Sequence, residues 1–211
     1  MTVFTYIPWS QKKDELIWRG ATTGSGLLRY NYVKTLADLG HNVKFHKFAN
    51  RKNGFCNKVN CHSYIGKKMR RRELMKYKYV LSLEGNDVAS NLKWLMSHNS
   101  VIIMPTPTVE TYLMEGLLQP WVHYVPLDDK TKINELIIHL NNNDEKCKEI
   151  VKNANEWIHK FHDNTRTRYI HSQILKHINE WMKRQLDINN VTFKYQKNVL
   201  SLVDNDVDYF E

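Results

Sequence analysis

Residues 84–94 read EGNDVASNLKW, a polar turn between an apolar run and a helix-like pattern. The preceding run, KYVLSL at residues 78–83, is short and β-branched and aromatic in character, so it predicts a buried strand. Apolar residues then recur at helical spacing over residues 88–96, with Asn86 or Asp87 as a plausible N-cap. A strand that ends in glycine and turns into a capped helix aims backbone N–H groups at one point, which suits phosphate. The alternative is an ordinary strand-to-helix turn.

Strands and helices alternate on both sides of this turn. The pattern predicts strands at residues 16–18, 43–48, 78–83, 101–104 and 121–127. It predicts helices at residues 27–39, 69–77, 88–96 and 109–117, and from 132 to 182 with breaks near 141–143 and 163–164. This alternation predicts an α/β fold, a Rossmann-like, mainly parallel sheet flanked by helices. The loops after residues 18, 83 and 104 should then meet at one edge of the sheet.

Length and composition predict one sizeable domain. The chain has 211 residues, 42% of them hydrophobic, and we assign residues 1–183 to this domain and 184–211 to a C-terminal tail. No leader-like start and no long apolar run is present, so we expect a cytoplasmic chain without a transmembrane segment. Three cysteines fit a reduced compartment. Zinc at Cys56, Cys61 and His62 is an alternative, but it lacks an evident fourth ligand.

The formal charge of +9 indicates an anionic partner without saying which one. The densest cluster of cations is KKMRRR at residues 67–72, which is either a solvated helix face or a polyanion-binding surface. A non-catalytic basic module for nucleic acid or another polyanion is therefore the alternative function.

A glycine-rich loop follows the first predicted strand. Gly20, Gly24 and Gly26 allow backbone amides to approach an anion closely. Their spacing matches neither the dinucleotide fingerprint nor the P-loop, so a dehydrogenase is disfavoured. Arg19 precedes the loop, and a guanidinium can hold two phosphate oxygens at once.

Four motifs in this order resemble family 90 of the glycosyltransferases. They are IPWS at residues 7–10, WRG at 18–20, KYKYVLSLEGNDVASNLKW at 76–94 and PWVHYVP at 120–126. The resemblance is to the bacterial and viral branch, and it implies the donor-binding second half of a two-domain GT-B enzyme. Residues 1–183 would then form its nucleotide-sugar-binding domain. It also implies inverting transfer of glucose or xylose from a UDP-sugar to a hydroxyl of a glycan, lipopolysaccharide or protein.

The resemblance also implies site residues. In the family, the Arg-Gly after the first strand and the hydroxyl residues beyond it belong to the nucleotide-sugar site. The central turn supplies the remaining contacts. Asn91 departs from the family, because the Rumi-type branch has a diphosphate-binding arginine at that position, so Lys93, Arg19 or Arg29 would have to supply the charge. The donor-binding set is Arg19, Gly20, Thr22, Thr23, Ser25, Gly85, Asn86, Asp87, Ser90 and Lys93.

Two of these assignments have simpler alternatives. Lys93 also fits a surface helix position, and Asp87 also fits an N-cap.

The resemblance implies no metal, because fixed cations stabilise the departing diphosphate. The one Asp-x-Asp pattern, at residues 204–208, fits a solvated tail. No catalytic base is assigned, although Glu110, Glu115 and Asp87 are available carboxylates. Because the acceptor groove of the family lies mainly in the domain before this one, a separate acceptor-domain chain is an expected partner.

Overall fold

A computed structural model describes residues 7–24, 27–48, 59–162, 164–189, 191–196 and 199–204. Its contacts divide the chain into two compact units, Met1–Lys160 and Phe161–Glu211. The boundary expected after residue 183 lies instead within a continuous helix of the second unit, Asn164–Asn189. The division into a nucleotide-sugar-binding domain and a tail at that residue stays a prediction.

Five parallel strands form the sheet of the first unit, in the order β2-β1-β3-β4-β5. They are β1 Lys13–Ala21, β2 Asn42–Lys47, β3 Tyr77–Leu81, β4 Val101–Met104 and β5 Val125–Pro126. Ile65 adds a single parallel bridge to Phe45 of β2. If this bridge is counted as a short strand, the order becomes the 3-2-1-4-5-6 of doubly wound nucleotide-binding folds. The predicted α/β fold with a parallel sheet is confirmed.

Strand β3 lies at the centre of the sheet, between β1 and β4, and all five of its residues are buried. Aromatic and branched side chains suit a strand that is covered on both faces. Lys78 is tolerated there because its Nζ lies 2.7 Å from Asp14 Oδ1 and 2.9 Å from Asp144 Oδ1. A central strand of this kind fixes where the loop that follows it must begin.

Three longer helices flank the sheet, and their positions confirm the sequence pattern. They are α1 Leu28–Asp38, α4 Ile133–Asn141 and α5 Asp144–His159. Gly40 follows α1 with a φ of 90°, the left-handed conformation that glycine adopts without strain. Their buried faces pack on the sheet and close the core around Leu16, Tyr79 and Ile103.

Two other predicted helices are shorter than expected. The segment at residues 69–77 is helical only over α2, Arg71–Leu74, because Tyr77 already pairs with β1. The segment at residues 109–117 contains only a 3-10 turn, Glu115–Leu117. Strand β5 is likewise reduced to two residues, and Trp121 before it has a φ of 63° that interrupts an extended strand.

The expectation of a capped helix directly after the central turn is wrong. Helix α3 spans only Leu92–Leu95, and Asn91 precedes it without a side-chain cap. The Asp87 side chain accepts from its neighbour Val88 N–H at 2.8 Å, and Gly85 N–H donates to Asp87 O at 2.9 Å. These bonds close a local turn in place of a first helical turn, so a helix dipole does not create the anion site.

The cysteines differ from the expectation of a reduced chain. Cys61 is disulfide-bonded, so it is not free to bind zinc, and Cys56 lies outside the described residues. Cys147 is a free thiol, and burial raises its pKa to about 11. A buried thiol with a raised pKa is unreactive, so Cys147 acts as a packing residue.

Among its described residues, the second unit contains helix α6, Asn164–Asn189, and a hairpin of β6, Val191–Gln196, and β7, Val199–Asp204. The sequence pattern did not predict this hairpin. None of the described helices is both long enough and apolar enough to cross a bilayer.

Lys12 provides a test of the sheet's packing. Its Nζ is buried and donates to Met75 O at 2.6 Å and to Ser100 Oγ at 2.8 Å, and burial lowers its pKa to about 8. Because the unfolded chain holds this proton up to a pH of roughly 10.5, folding releases it, and stability rises with pH between these two values. Between pH 8 and pH 10, we expect the unfolding free energy of the wild type to rise by about 2 kcal/mol more than that of Lys12→Met. Parallel urea titrations of the two proteins measure this difference, and equal pH profiles would contradict it.

Candidate functional site

An open cleft of about 420 Å³ lies where β1 and β3 end. It adjoins a smaller cleft of about 200 Å³ on the side of the loop after β4. The chain leaves β1 toward β2 on one side, and β3 lies on the other, so this is the point where the strand order reverses. Ligands of doubly wound sheets bind at such a point. The larger cleft is lined by residues 18–21, Thr23, Arg29, His46, Leu83, residues 85–88, Ser90 and Asn91.

The two loops of the cleft are in direct contact. Gly24 N–H donates to Asn86 Oδ1 at 2.7 Å. Gly24 has a φ of 112°, and a Cβ on it would lie 3.3 Å from Gly85 O. A Cβ on Gly85 would lie 2.7 Å from Thr23 Oγ1 and 2.8 Å from Arg29 Nη2. Glycine is therefore required at Gly85 for the loops to approach each other this closely.

Arg29 of α1 joins the ends of β1 and β3. Its Nε donates to Glu84 O at 2.7 Å, and its Nη2 donates to Leu83 O at 2.7 Å. Its Nη1 donates to Ala21 O at 3.1 Å and to Thr23 Oγ1. Four of its five N–H groups are thus used, and all four acceptors are neutral. The arrangement holds the guanidinium rigidly and leaves its positive charge uncompensated.

That charge persists at neutral pH. Burial lowers the pKa of Arg29 to about 10, which is still well above 7. Among the described residues, neither Arg29 nor Arg19 forms an ion pair with a carboxylate. The larger cleft is thus lined by two cations and by the single carboxylate of Asp87, an excess of positive charge that favours an anion.

Arg19 is held mostly by the protein itself. Its Nη1 donates to Trp18 O at 2.7 Å and to Asn42 O at 2.8 Å, and its Nη2 donates to Asn42 Oδ1 at 2.6 Å. Its Nε donates to Lys67 O at 3.0 Å. As in Arg29, only one N–H is left, so the two-pronged phosphate contact expected of Arg19 is not available in this conformation, although its charge still lines the cleft.

Gly20 makes room for the indole of Trp18. A Cβ at Gly20 would lie 2.1 Å from Cζ2 of that ring. The buried indole packs edge-on against Phe45 at 5.8 Å between centroids, and Arg29 Cζ lies 5.7 Å from the ring centroid. The glycine thus allows one aromatic ring to support both the core and the arginine of the cleft.

His46 near the end of β2 lines the same cleft and was missed by the sequence analysis. Burial is the main cause that lowers the pKa of His46, and the positive charges of Lys68, Arg19 and Lys47 lower it further. The ring is therefore neutral at pH 7 in the cleft. Its Nδ1 is buried without a hydrogen-bond partner among the residues that the structure describes. In the sequence His46 is one position of an alternating strand, and only the strand order places it at the cleft.

The structure brings together most of the predicted donor-binding residues. Thr22 is instead buried below the cleft surface, where its N–H donates to Lys47 O at 3.1 Å. Lys93 is exposed, lines neither cleft and donates to Tyr112. Ser25 lies outside the described residues. The predicted residues that do line the two clefts are Arg19, Gly20, Thr23, Gly85, Asn86, Asp87 and Ser90.

Asn91, where the resemblance to the Rumi-type branch would place an arginine, lines the cleft, but its amide is engaged. Its Nδ2 donates to Leu81 O at 3.0 Å, and its Oδ1 accepts from Ser82 Oγ at 3.0 Å. Asn91 therefore fixes the start of the loop after β3. Arg29 of α1 donates to this loop at Leu83 O and Glu84 O.

A third loop, after β4, is tied to the same cleft by carboxylates. Glu84 accepts from Thr108 N–H at 2.8 Å and from Thr108 Oγ1 at 2.5 Å. Asp128 accepts from Thr106 N–H at 2.8 Å and from Thr106 Oγ1 at 3.0 Å. The predicted meeting of three loops at one edge is therefore observed, and these bonds fix the third loop.

The three candidate carboxylates differ in their hydrogen bonds and in whether they line a cleft. Glu115 is buried and accepts from Thr111 N–H at 2.6 Å and Thr111 Oγ1 at 2.7 Å, and Glu110 accepts from Gly116 N–H at 2.9 Å. These two stabilise their own loop and line neither of the two clefts. Asp87 lines both. Within the described part of the chain, no group of three or more His, Cys, Asp or Glu is placed to hold a metal ion.

Comparison with known proteins identifies relatives that match parts of this chain. The O-glucosyltransferase LpsA of Dichelobacter nodosus is 39% identical over 162 residues, which is 74% of this chain and 46% of LpsA. Protein O-glucosyltransferase 2 of Danio rerio is 32% identical over 79 residues, which is 37% of this chain and 16% of that protein. The crystal structure of TarM matches with a TM-score of 0.47 and 15% identity over 82% of this chain and 36% of TarM.

The chain thus spans less than half the length of these relatives. The model of glycosyl transferase family 90 matches residues 3–200, nearly the full sequence, and the chain therefore belongs to glycosyl transferase family 90.

Proposed function

We propose that the chain is the donor-binding half of a glycosyltransferase of the GT-B type. It would bind a UDP-sugar, with glucose or xylose as the sugar, for transfer to a hydroxyl of a glycan, lipopolysaccharide or protein. The observation that carries the proposal is the uncompensated guanidinium of Arg29 at the strand-order reversal. A rigid cation at this point suits a diphosphate, and family membership makes a nucleotide sugar the natural diphosphate.

In the proposed mechanism the residues of the cleft stabilise the leaving group. As the glycosidic bond to UDP breaks, negative charge grows on the diphosphate, and fixed cations that need no reorganisation stabilise it. Arg29 and Arg19 would supply that charge, so we propose that no metal is needed. Hydroxyl and amide groups of Thr23, Asn86 and Ser90, together with Asp87, would orient the donor.

A carboxylate would deprotonate the acceptor hydroxyl as it attacks the anomeric carbon. Of the three candidates, Asp87 alone lines the clefts. LpsA is about twice as long as the matched segment, so we propose that a further domain, on this polypeptide or on a partner chain, positions the acceptor. Without that positioning, the 211-residue chain should bind donor but transfer sugar poorly, because lost orientation removes several kcal/mol of catalysis.

Donor binding is directly testable by thermal stability. At a UDP concentration about a hundredfold above the dissociation constant, binding stabilises the folded state by about 2.7 kcal/mol. We expect the melting temperature of the sheet unit to rise by roughly 5–10 °C with UDP or a UDP-hexose. The rise should persist in EDTA. A screen of sugar nucleotides by thermal shift measures this, and the absence of any shift with UDP-sugars, or its loss in EDTA, would contradict the proposal.

The alternative is a basic module that binds nucleic acid or another polyanion. It is supported by the exposed cations at residues 67–72, of which none forms an ion pair within the described residues. Titration with single-stranded RNA and with UDP at several salt concentrations distinguishes the two functions. Polyanion binding weakens steeply with salt, whereas a nucleotide site saturates and is specific for uridine.

A further inference from the structure

Helix α6 in the second unit carries a broad apolar face that is open to solvent. Ile174, Leu175, Ile178 and Trp181 are 44%, 65%, 49% and 61% exposed. At 3.6 residues per turn they fall, with Ile170 and Met182, on an arc of about 140°. Exposed apolar patches of this kind mark surfaces that bind a partner or a membrane.

The opposite face of the helix is basic. Residues 164–189 contain five Lys or Arg against two acidic residues. Lys176, Lys183 and Arg184 lie on the polar arc, and none of them forms an ion pair within the described residues. Glu180 shares that arc and faces His177 at 3.8 Å. The helix is therefore amphipathic with an excess of positive charge.

We propose that α6 lies in the interface of an anionic membrane. A wide apolar arc that includes a tryptophan, a basic polar face and low mean hydropathy are the features of helices that bind in the plane of a bilayer. The apolar side chains would enter the acyl boundary, while Lys176 and Lys183 extend to anionic headgroups. A second copy of the helix fits less well, because a coiled-coil seam is narrower than this arc. The proposal is independent of the donor site.

Vesicle sedimentation with the full 211-residue chain tests the proposal. We expect the protein to sediment with vesicles containing about one third phosphatidylglycerol, and much less with phosphatidylcholine alone. Raising the salt concentration should weaken binding to the anionic vesicles, because the Debye length shortens. No sedimentation with the anionic vesicles, or equal sedimentation with both, would overturn the proposal.

Matched variants locate the binding surface. Ile178→Ser combined with Trp181→Ser should lower the partition coefficient at least about 30-fold, since both apolar side chains leave the interface. Leu117→Ser combined with Ile138→Ser is the control, because those residues are 60% and 63% exposed in the other unit, and it should change little. Lys176→Gln combined with Lys183→Gln should lower binding about tenfold, and only to the anionic vesicles.

Two further outcomes would overturn the proposal. One is an equal loss of vesicle binding in the control pair. The other is a dimer in analytical ultracentrifugation that the Ile178→Ser, Trp181→Ser variant converts into a monomer while the wild type binds vesicles weakly, which would make the face a protein interface. Circular dichroism and urea titration of each variant confirm that the fold is retained, as expected for substitutions at exposed positions.

Discussion

Replacing Arg29 with glutamine is expected to weaken UDP binding at least about 100-fold. The substitution removes the cation that lines both clefts and that has no carboxylate partner among the described residues. A diphosphate in a partly desolvated cleft then loses its fixed counter-charge. Isothermal titration calorimetry with UDP measures the loss, and an unchanged dissociation constant would contradict the assignment.

Two controls separate charge from structure. Arg29→Lys keeps the charge but cannot bond four acceptors at once, so it should retain part of the affinity while losing some stability. Lys93→Gln removes a cation that lies outside the lining of both clefts, and it should change the affinity less than about threefold. If Lys93→Gln and Arg29→Gln weaken binding equally, the attraction is diffuse and the polyanion alternative gains support.

Replacing Gly20 with alanine is expected to destabilise the sheet unit by about 3 kcal/mol. The new Cβ would lie 2.1 Å from Cζ2 of Trp18, whose indole is 2% exposed and packs on Phe45, so the ring or the strand would have to shift. The melting temperature should fall by roughly 6–12 °C. UDP binding should weaken as well, because the displaced ring lies beside Arg29.

A double-mutant cycle tests the cause. Trp18→Leu removes the indole atoms that the new methyl group would strike, so Gly20→Ala should cost much less in that background. We expect a coupling of at least about 1 kcal/mol between the two positions from urea unfolding of the four proteins. Additive effects would show that contact with the indole of Trp18 is not the reason for the loss of stability.

The sequence predicted the layer architecture well, because hydrophobic periodicity is a local property. Strands β1 to β4 and helices α1, α4 and α5 follow from the spacing of apolar residues within each of these segments. The pattern failed where tertiary pairing decides the outcome. Residues 69–77 have a helical pattern, yet Tyr77 pairs with Lys13 of β1 and is part of strand β3. The turn at residues 85–88 is closed by hydrogen bonds within the turn, so helix α3 begins only at Leu92.

The sequence by itself determined the family motifs, the glycine-rich loops and the excess of positive charge. Only the tertiary structure decided which cation occupies the cleft. Arg29 meets Leu83 and Glu84, more than fifty residues away in the chain, because the strand order places β1 beside β3. The same order brings His46 to the cleft, leaves Lys93 outside it and ties Arg19 to backbone carbonyls. Contacts between distant segments depend on which strands pair in the sheet, and the hydrophobic pattern within one segment does not specify that pairing.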